Sequence, residues 1–323
     1  MTSNAEPFDV PQQAPEPPAR RVGVIGVGRV GAVLAHALRV AGFEITAVSG
    51  ESDASRARAA ALLPGVPIAK PSAVARSCDI LLLTVPDDML ANVATVLSDA
   101  GALRPGQYVV HTSGRHGVGV LAPVARVGAR PLAIHPAMTF TGTEVDVDRL
   151  EGCVFGVTAE AAERTLADEL VAAVGGRPMW IPEDKRTLYH ASLAHGANHL
   201  VTLVAQAMEL LRAAGVEDQG LCSADTLRPL LTAALDNALA AGDAALTGPI
   251  VRGDVNTVRA HVREVEANAP HTLPSYVAMA RATLDRVVTD GRVLPIRAAA
   301  IRRVLDDALR AHITASDGSS PLT

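Results

Sequence analysis

Arg21-Val22-Gly23-Val24-Ile25-Gly26-Val27-Gly28-Arg29-Val30-Gly31 is the stretch on which the fold turns. Val22, Val24 and Ile25 read as a short strand, and the segment from Arg29 to Ala41 carries its apolar residues at helical spacing. Between the two lies a G-x-G-x-x-G pattern that closes a strand and opens a helix, the context in which it holds the pyrophosphate of a dinucleotide. Gly26 permits the tight turn, Gly28 lets the backbone approach the phosphates, and Gly31 lets the helix pack closely on the strand. The helix N-terminus then faces the negative charge, and Val27, Arg29 and Val30 complete the predicted cofactor loop.

The end of the second strand, Glu44 to Val48, is Ser49. An acidic side chain there would take the free ribose hydroxyl, whereas a small or basic one leaves space for a 2′-phosphate. Ser52, Ser55, Arg56 and Arg58 follow, so the sequence predicts NADP(H), with Glu51 as the residue that would serve a bare ribose instead.

Working outward, Asp79 to Val85, Tyr108 to His111 and Pro131 to His135 are further Val/Ile/Leu-rich runs separated by helical segments. This alternation predicts an α/β fold, a Rossmann doubly wound and mostly parallel sheet covered on both faces. Cys153 to Val157 and Pro178 to Ile181 read as two more strands around a helix from Ala159 to Val174, so the first domain is expected over residues 21–182. Ligands in such sheets bind at the carboxyl ends of the strands, which adds Val85 and Pro86, Ser113 of His111-Thr112-Ser113-Gly114, and His135 to the expected cofactor crevice.

Beyond Pro182 the pattern is helical: about Asp184 to Ala214, Ser223 to Ala241, Asp254 to Ala267, Pro274 to Asp290 and Leu294 to Ala315. An all-α substrate and dimerisation domain is expected over residues 183–315. The proline-rich residues 1–20 and the polar residues 316–323 are expected to be tails.

Composition narrows the function. A formal charge of −5 and no basic cluster interleaved with aromatics argue against a nucleic-acid partner. The three cysteines, Cys78, Cys153 and Cys222, are widely spaced, so neither a disulfide framework nor a metal site is expected, and a reducing cytoplasm fits. The most apolar run, Ala191 to Met208, is interrupted by His195, Asn198, His199 and Gln206, which does not suit a membrane span.

Within that run and just before it stand Tyr189, His190, His195 and Asn198, polar groups that need partners if buried. Further on, Leu246-Thr247-Gly248-Pro249-Ile250-Val251-Arg252-Gly253-Asp254 breaks the helical pattern, and Asp254 is a suitable N-cap for the next helix.

These motifs, with Ile134-His135-Pro136-Ala137-Met138-Thr139-Phe140 and Asn198-His199-Leu200-Val201-Thr202-Leu203, resemble those of the Rossmann-like proteins with an all-helical C-terminal domain originally of unknown function. That family lies in the wider 6-phosphogluconate dehydrogenase-like superfamily, and the resemblance covers nearly all of residues 20–315. Some of its members resemble an alternative ketopantoate reductase of pantothenate biosynthesis using NADPH, and other relatives in the superfamily reduce imines such as pyrroline-5-carboxylate. The resemblance therefore implies ketopantoate reductase activity here, with imine reduction of the pyrroline-5-carboxylate type as the alternative, and a homodimer. One departure stands out: the familiar ketopantoate reductases and 3-hydroxy-acid dehydrogenases carry a Lys four residues before an Asn on the first long helix, where this chain has Ala194.

Reduction of a small 2-keto acid needs a hydride, a proton donor to the developing alkoxide and a partner for the carboxylate. Asn198 is expected to polarise the carbonyl, His190 or His195 to donate the proton with Lys185 as a second donor, and Arg252 to pair with the substrate carboxylate. The missing Lys leaves open a non-catalytic NADP-binding regulatory protein.

Overall fold

The computed structural model describes residues 20–217, 220 and 222–318. The expected tails fall almost wholly outside that range, except that the last helix continues to Gly318. The chain divides into two compact units, Met1–His195 and Gly196–Thr323. The division falls later than Pro182 because the helix after that proline belongs to the first unit, held to its strands by Arg186 and Tyr189.

The first unit is built on a seven-stranded sheet of order β2-β1-β3-β4-β5-β6-β7. Its strands are β1 (Arg21–Ile25), β2 (Glu44–Ser49), β3 (Ile80–Leu83), β4 (Tyr108–His111), β5 (Arg130–Pro136), β6 (Val154–Thr158) and β7 (Arg177–Trp180). The first five run parallel; β6 is antiparallel to β5, and β7 is parallel to β6. The continuous apolar run Ile-Leu-Leu-Leu of β3 is buried at every position, as a strand covered on both faces requires.

Helices α1 (Arg29–Val40), α2 (Asp53–Leu62), α3 (Pro71–Arg76), α4 (Asp87–Asp99), α5 (Ala122–Arg126), α6 (Val145–Asp148) and α7 (Arg164–Ala173) connect and cover the strands, and α8 (Arg186–Leu193) follows β7. Helix α1 buries Ala32, Val33, Leu34, Ala35, Ala37 and Leu38 against β1 and β2, and it stops before Gly42, whose φ of +93° suits a glycine. The strand order reverses at β1, whose neighbours are β2 and β3. The crevice beyond the carboxyl ends of β1 and β3 is therefore the topological switch point where such sheets take ligands.

A π turn, Ala194–Asn198, separates α8 from α9 (His199–Ala213). The second unit then contains α10 (Ser223–Ala241), α11 (Val255–Asn268), α12 (Leu273–Thr289) and α13 (Pro295–Gly318). Its core comes from α11, α12 and α13, with Val258, Leu273, Val277, Leu284, Val287, Ile301 and Leu305 completely enclosed. No described helix is long and apolar enough to cross a membrane.

Candidate functional site

The glycine turn is fixed by backbone contacts. Gly26 has φ +98°, and a Cβ there would stand 2.7 Å from the Thr84 carbonyl oxygen. Gly31 is shut in by Thr84 Oγ1 and the Gly26 carbonyl oxygen, and Thr84 Oγ1 donates to Gly26 O at 2.7 Å. The Gly26 and Val27 amides donate to Ser49 O at 2.9 Å each, tying the turn to the end of β2. Gly28 is different: its φ of −77° is open to any residue, and a Cβ would meet no protein atom nearer than 3.8 Å. The space over Gly28 is a cradle that a side chain would fill, at the start of a helix with neither a side-chain cap nor an acidic residue in its first turn. That arrangement fits a dinucleotide pyrophosphate.

At the end of β2 the structure uses its polar side chains locally. Ser52 N-caps α2, accepting from the Ser55 amide at 3.1 Å. Arg56 pairs with Asp53 at 2.6 Å and donates to the Glu51 carbonyl oxygen at 2.5 Å. Ser49 is buried, Val85 half-buried and Pro86 exposed where β3 hands over to α4.

A second cluster lies at the carboxyl ends of β4 and β5, all within the first unit. Arg186, at the start of α8, is 1% exposed. Its guanidinium donates to the carbonyl oxygens of His116 (2.9 Å), Gly156 (2.9 Å) and Ser113 (2.5 Å). Three carbonyls on two segments, the loop after β4 and strand β6, are pinned by one planar fork, a task for which an ammonium is poorly shaped. Glu183 adds a fourth tie by accepting from the amides of Val118 (2.8 Å) and Gly119 (2.9 Å).

Inside this frame His111 accepts from the Ser113 amide at Nδ1 (3.2 Å), which leaves its Nε2–H to donate to Gly117 O (2.9 Å). Burial pushes its pKa down to about 4. His135, brought to the cluster by β5, has a pKa lowered to about 4 by burial first and then by the Arg186 and His190 charges. Its Nδ1 lies 2.9 Å from the Tyr189 hydroxyl. Burial raises the phenol's own pKa, so Tyr189 stays protonated at neutral pH. His190 stacks edge-on to His135, ring centroids 6.0 Å apart, and packs against Gly114, where any side chain would clash with it. Tyr189 packs in the same way on Gly156, with 2.6 Å between its Oη and a Cβ placed there.

Of the residues expected from the sequence, His135, His190 and Ser113 meet in this cluster. Lys185 is exposed and paired with Asp184 at 2.9 Å. His195 and Asn198 lie in the exposed π turn, a distortion that often marks functional positions. Arg252 is exposed in the second unit, and Asp254 caps α11 through the Thr257 amide and hydroxyl. Arg186, Glu183 and the His135–Tyr189 pairing were not anticipated. The sequence marks Tyr189 as a polar group in need of a partner, but nothing local names one 54 residues away. Two hollows of about 630 and 790 Å³ lie elsewhere, one along α11 and α13 and one at the amino ends of β1, β3 and β4, and neither contains a residue of the cluster. No described group of three or more His, Cys, Asp or Glu side chains is arranged to hold a metal ion.

Fold and site together define a Rossmann-like protein with a helical second part. Residues 9–136 match the Rossmann-like domain family and residues 153–283 match a domain of unknown function, DUF2520, the two matches following one another along the chain. No curated protein matches the sequence. Among solved structures, a provisionally named NADP oxidoreductase from Bacteroides fragilis is 21% identical with a TM-score of 0.69, over 83% of this chain and 98% of that one. An imine reductase from Streptomyces aurantiacus is 18% identical with a TM-score of 0.58, covering 88% and 99%. A reductive aminase from Aspergillus terreus, solved with NADPH and ethyl levulinate, is 17% identical with a TM-score of 0.56, covering 88% and 98%. These likenesses establish the fold.

Proposed function

We propose that the chain is an NADPH-dependent reductase of a small carbonyl compound, with ketopantoate or a related 2-keto acid as substrate. The observation that carries the proposal is the His135–Tyr189 pair at the carboxyl ends of the strands, in the same unit as the open cradle over Gly28. Gly26, Gly28 and Gly31 would hold the pyrophosphate, and Ser113 and His135 would serve the nicotinamide. Bound NADPH supplies the hydride.

The Tyr189 hydroxyl gives its proton to the oxygen of the carbonyl being reduced, and the phenolate recovers a proton from solvent. His135 positions it. With Nδ1–H donated to the phenolic oxygen, the O–H is free for substrate; in the other tautomer it is spent on the ring. Arg186 fixes the Ser113 to His116 segment on which His190 packs, and its charge helps keep His135 neutral.

The structural likeness to an imine reductase and a reductive aminase supports a second reading, in which the same phenol protonates the nitrogen of an imine. A panel that follows NADPH loss with ketopantoate, other 2-keto acids and cyclic imines decides between them. Turnover with a keto acid is the expected result, turnover with imines alone replaces the first reading by the second, and binding of NADPH without turnover on any member favours a regulatory protein.

The functional unit is proposed to be a homodimer. Helix α9 buries none of its 15 residues and α10 buries only Ser223 and Leu227 of its 19. Val201, Leu230 and Leu239 stand 69%, 64% and 79% exposed, an apolar surface that a second copy would cover. Sedimentation equilibrium should return twice the 33.4 kDa chain mass; a single-chain mass at micromolar concentration refutes the assignment.

A further inference from the structure

The polar groups at the end of β2 do not account for recognition of a 2′-phosphate, since Ser52 is a helix cap and Arg56 is held by Asp53. Two other arginines converge nearby. Arg29 opens α1 directly after Gly28, and Arg58 lies on α2. Their side chains meet over Gly142: a Cβ on that residue would stand 2.8 Å from Arg58 Nε and 3.0 Å from Arg29 Cγ. Among the described residues no carboxylate forms an ion pair with either. Two cationic side chains packed on one turn with no carboxylate partner leave positive charge that an anion would stabilise.

The turn that carries Gly142 is held in place. Gly142 has φ +84°, and Asp146, with 0% exposure, accepts from the amides of Thr141 and Gly142 at 2.7 Å each and from the Thr141 hydroxyl at 3.1 Å. These donors hold the carboxyl below the usual aspartate range against the opposing effect of burial. A buried carboxylate spent on a surface turn fixes where Gly142 sits, and a larger residue there would displace both arginines.

We infer that Arg29 and Arg58, set by the Asp146-anchored turn Thr141–Asp146, form the clasp for the 2′-phosphate of NADPH and so determine cofactor choice. The inference rests on the proposed cofactor reading. It places the selectivity on the first residue of α1, the middle of α2 and a turn after β5, rather than on the polar groups at the end of β2. Two guanidinium groups match the charge of a phosphate monoester dianion and give it charge-assisted hydrogen bonds, which a ribose hydroxyl cannot exploit.

Dissociation constants for NADPH, NADH and 2′,5′-ADP, read by nicotinamide fluorescence and calorimetry on the full chain, test it. Arg58→Gln and Arg29→Gln are each expected to weaken NADPH and 2′,5′-ADP by about 10- to 100-fold, the value of one charge-assisted contact. Arg58→Gln should move NADH less than about threefold, and Arg56→Gln should move none of the three. Equal losses for NADPH and NADH in Arg58→Gln, or a selective NADPH loss in Arg56→Gln, overturn the clasp while leaving the cofactor reading intact. If the unmodified protein binds none of the three ligands, the cofactor reading itself falls and the clasp with it.

Discussion

Tyr189→Phe is expected to lower kcat by about 100-fold or more while leaving the dissociation constant for NADPH unchanged, because a positioned general acid contributes ~10²- to 10⁴-fold and the ring itself is retained. The phenyl group still packs on Gly156 and beside Arg186, so the frame survives and only the proton is lost. The pH profile separates this donor from its neighbours. A histidine donor with an ordinary pKa places a limb near 6.5. A phenol raised by burial, resting on a histidine lowered to about 4, gives instead a plateau that spans neutral pH and falls only at the extremes. His135→Asn keeps a polar group near the hydroxyl but loses the ring, and should cost kcat more than KM. Full turnover in Tyr189→Phe removes the phenol from the chemistry and returns the role to His190 or His195.

Much of this was legible in the sequence, for reasons that particular residues make clear. The strand-turn-helix around Gly26, Gly28 and Gly31 is encoded within eleven consecutive residues, where backbone conformation and close approach leave few alternatives. The burial of β3 follows from its unbroken apolar run. The direction of β6 was not legible, since a pattern of Val, Phe and Thr predicts a strand and says nothing of the sense in which it pairs. Arg186 is the clearest failure of local reading. A charged residue at the start of a helix is expected to face solvent, and only the fold brings it to the carbonyls of residues 113, 116 and 156. The same holds for Gly142, an unremarked glycine until the sheet places it against α1 and α2. Long-range pairing builds the candidate site, and composition and periodicity do not record it.

The neutral histidines of that site carry a cost that acid should reveal. His111 and His135 both have folded pKa values near 4, against about 6.5 in an unfolded chain. Between those values the unfolded state binds more protons, so stability rises with pH across that window and falls as the pH drops from about 6.5 towards 4. For His111 the geometry gives the reason: its Nδ1 already accepts the Ser113 amide, and a proton there would set two N–H groups against each other in a buried site. Each histidine can contribute about 3 kcal/mol over the whole interval, and His116, lowered in the same sense, adds to it. Carboxylates held below their usual range, such as Asp79 and Asp146, act only at lower pH, because their stabilisation is lost as the pH falls below the unfolded carboxylate value near 4. Trp180 is the single tryptophan and lies on β7, so its emission during urea unfolding reports on the first unit. The expected result is an unfolding free energy nearly level above pH 7 and falling between pH 6.5 and 4.5 with a slope approaching two protons, reduced by about one proton in His135→Gln. A midpoint independent of pH across that range would show that His111 and His135 are charged in the folded protein, and with that the neutral His135 on which Tyr189 depends would be lost.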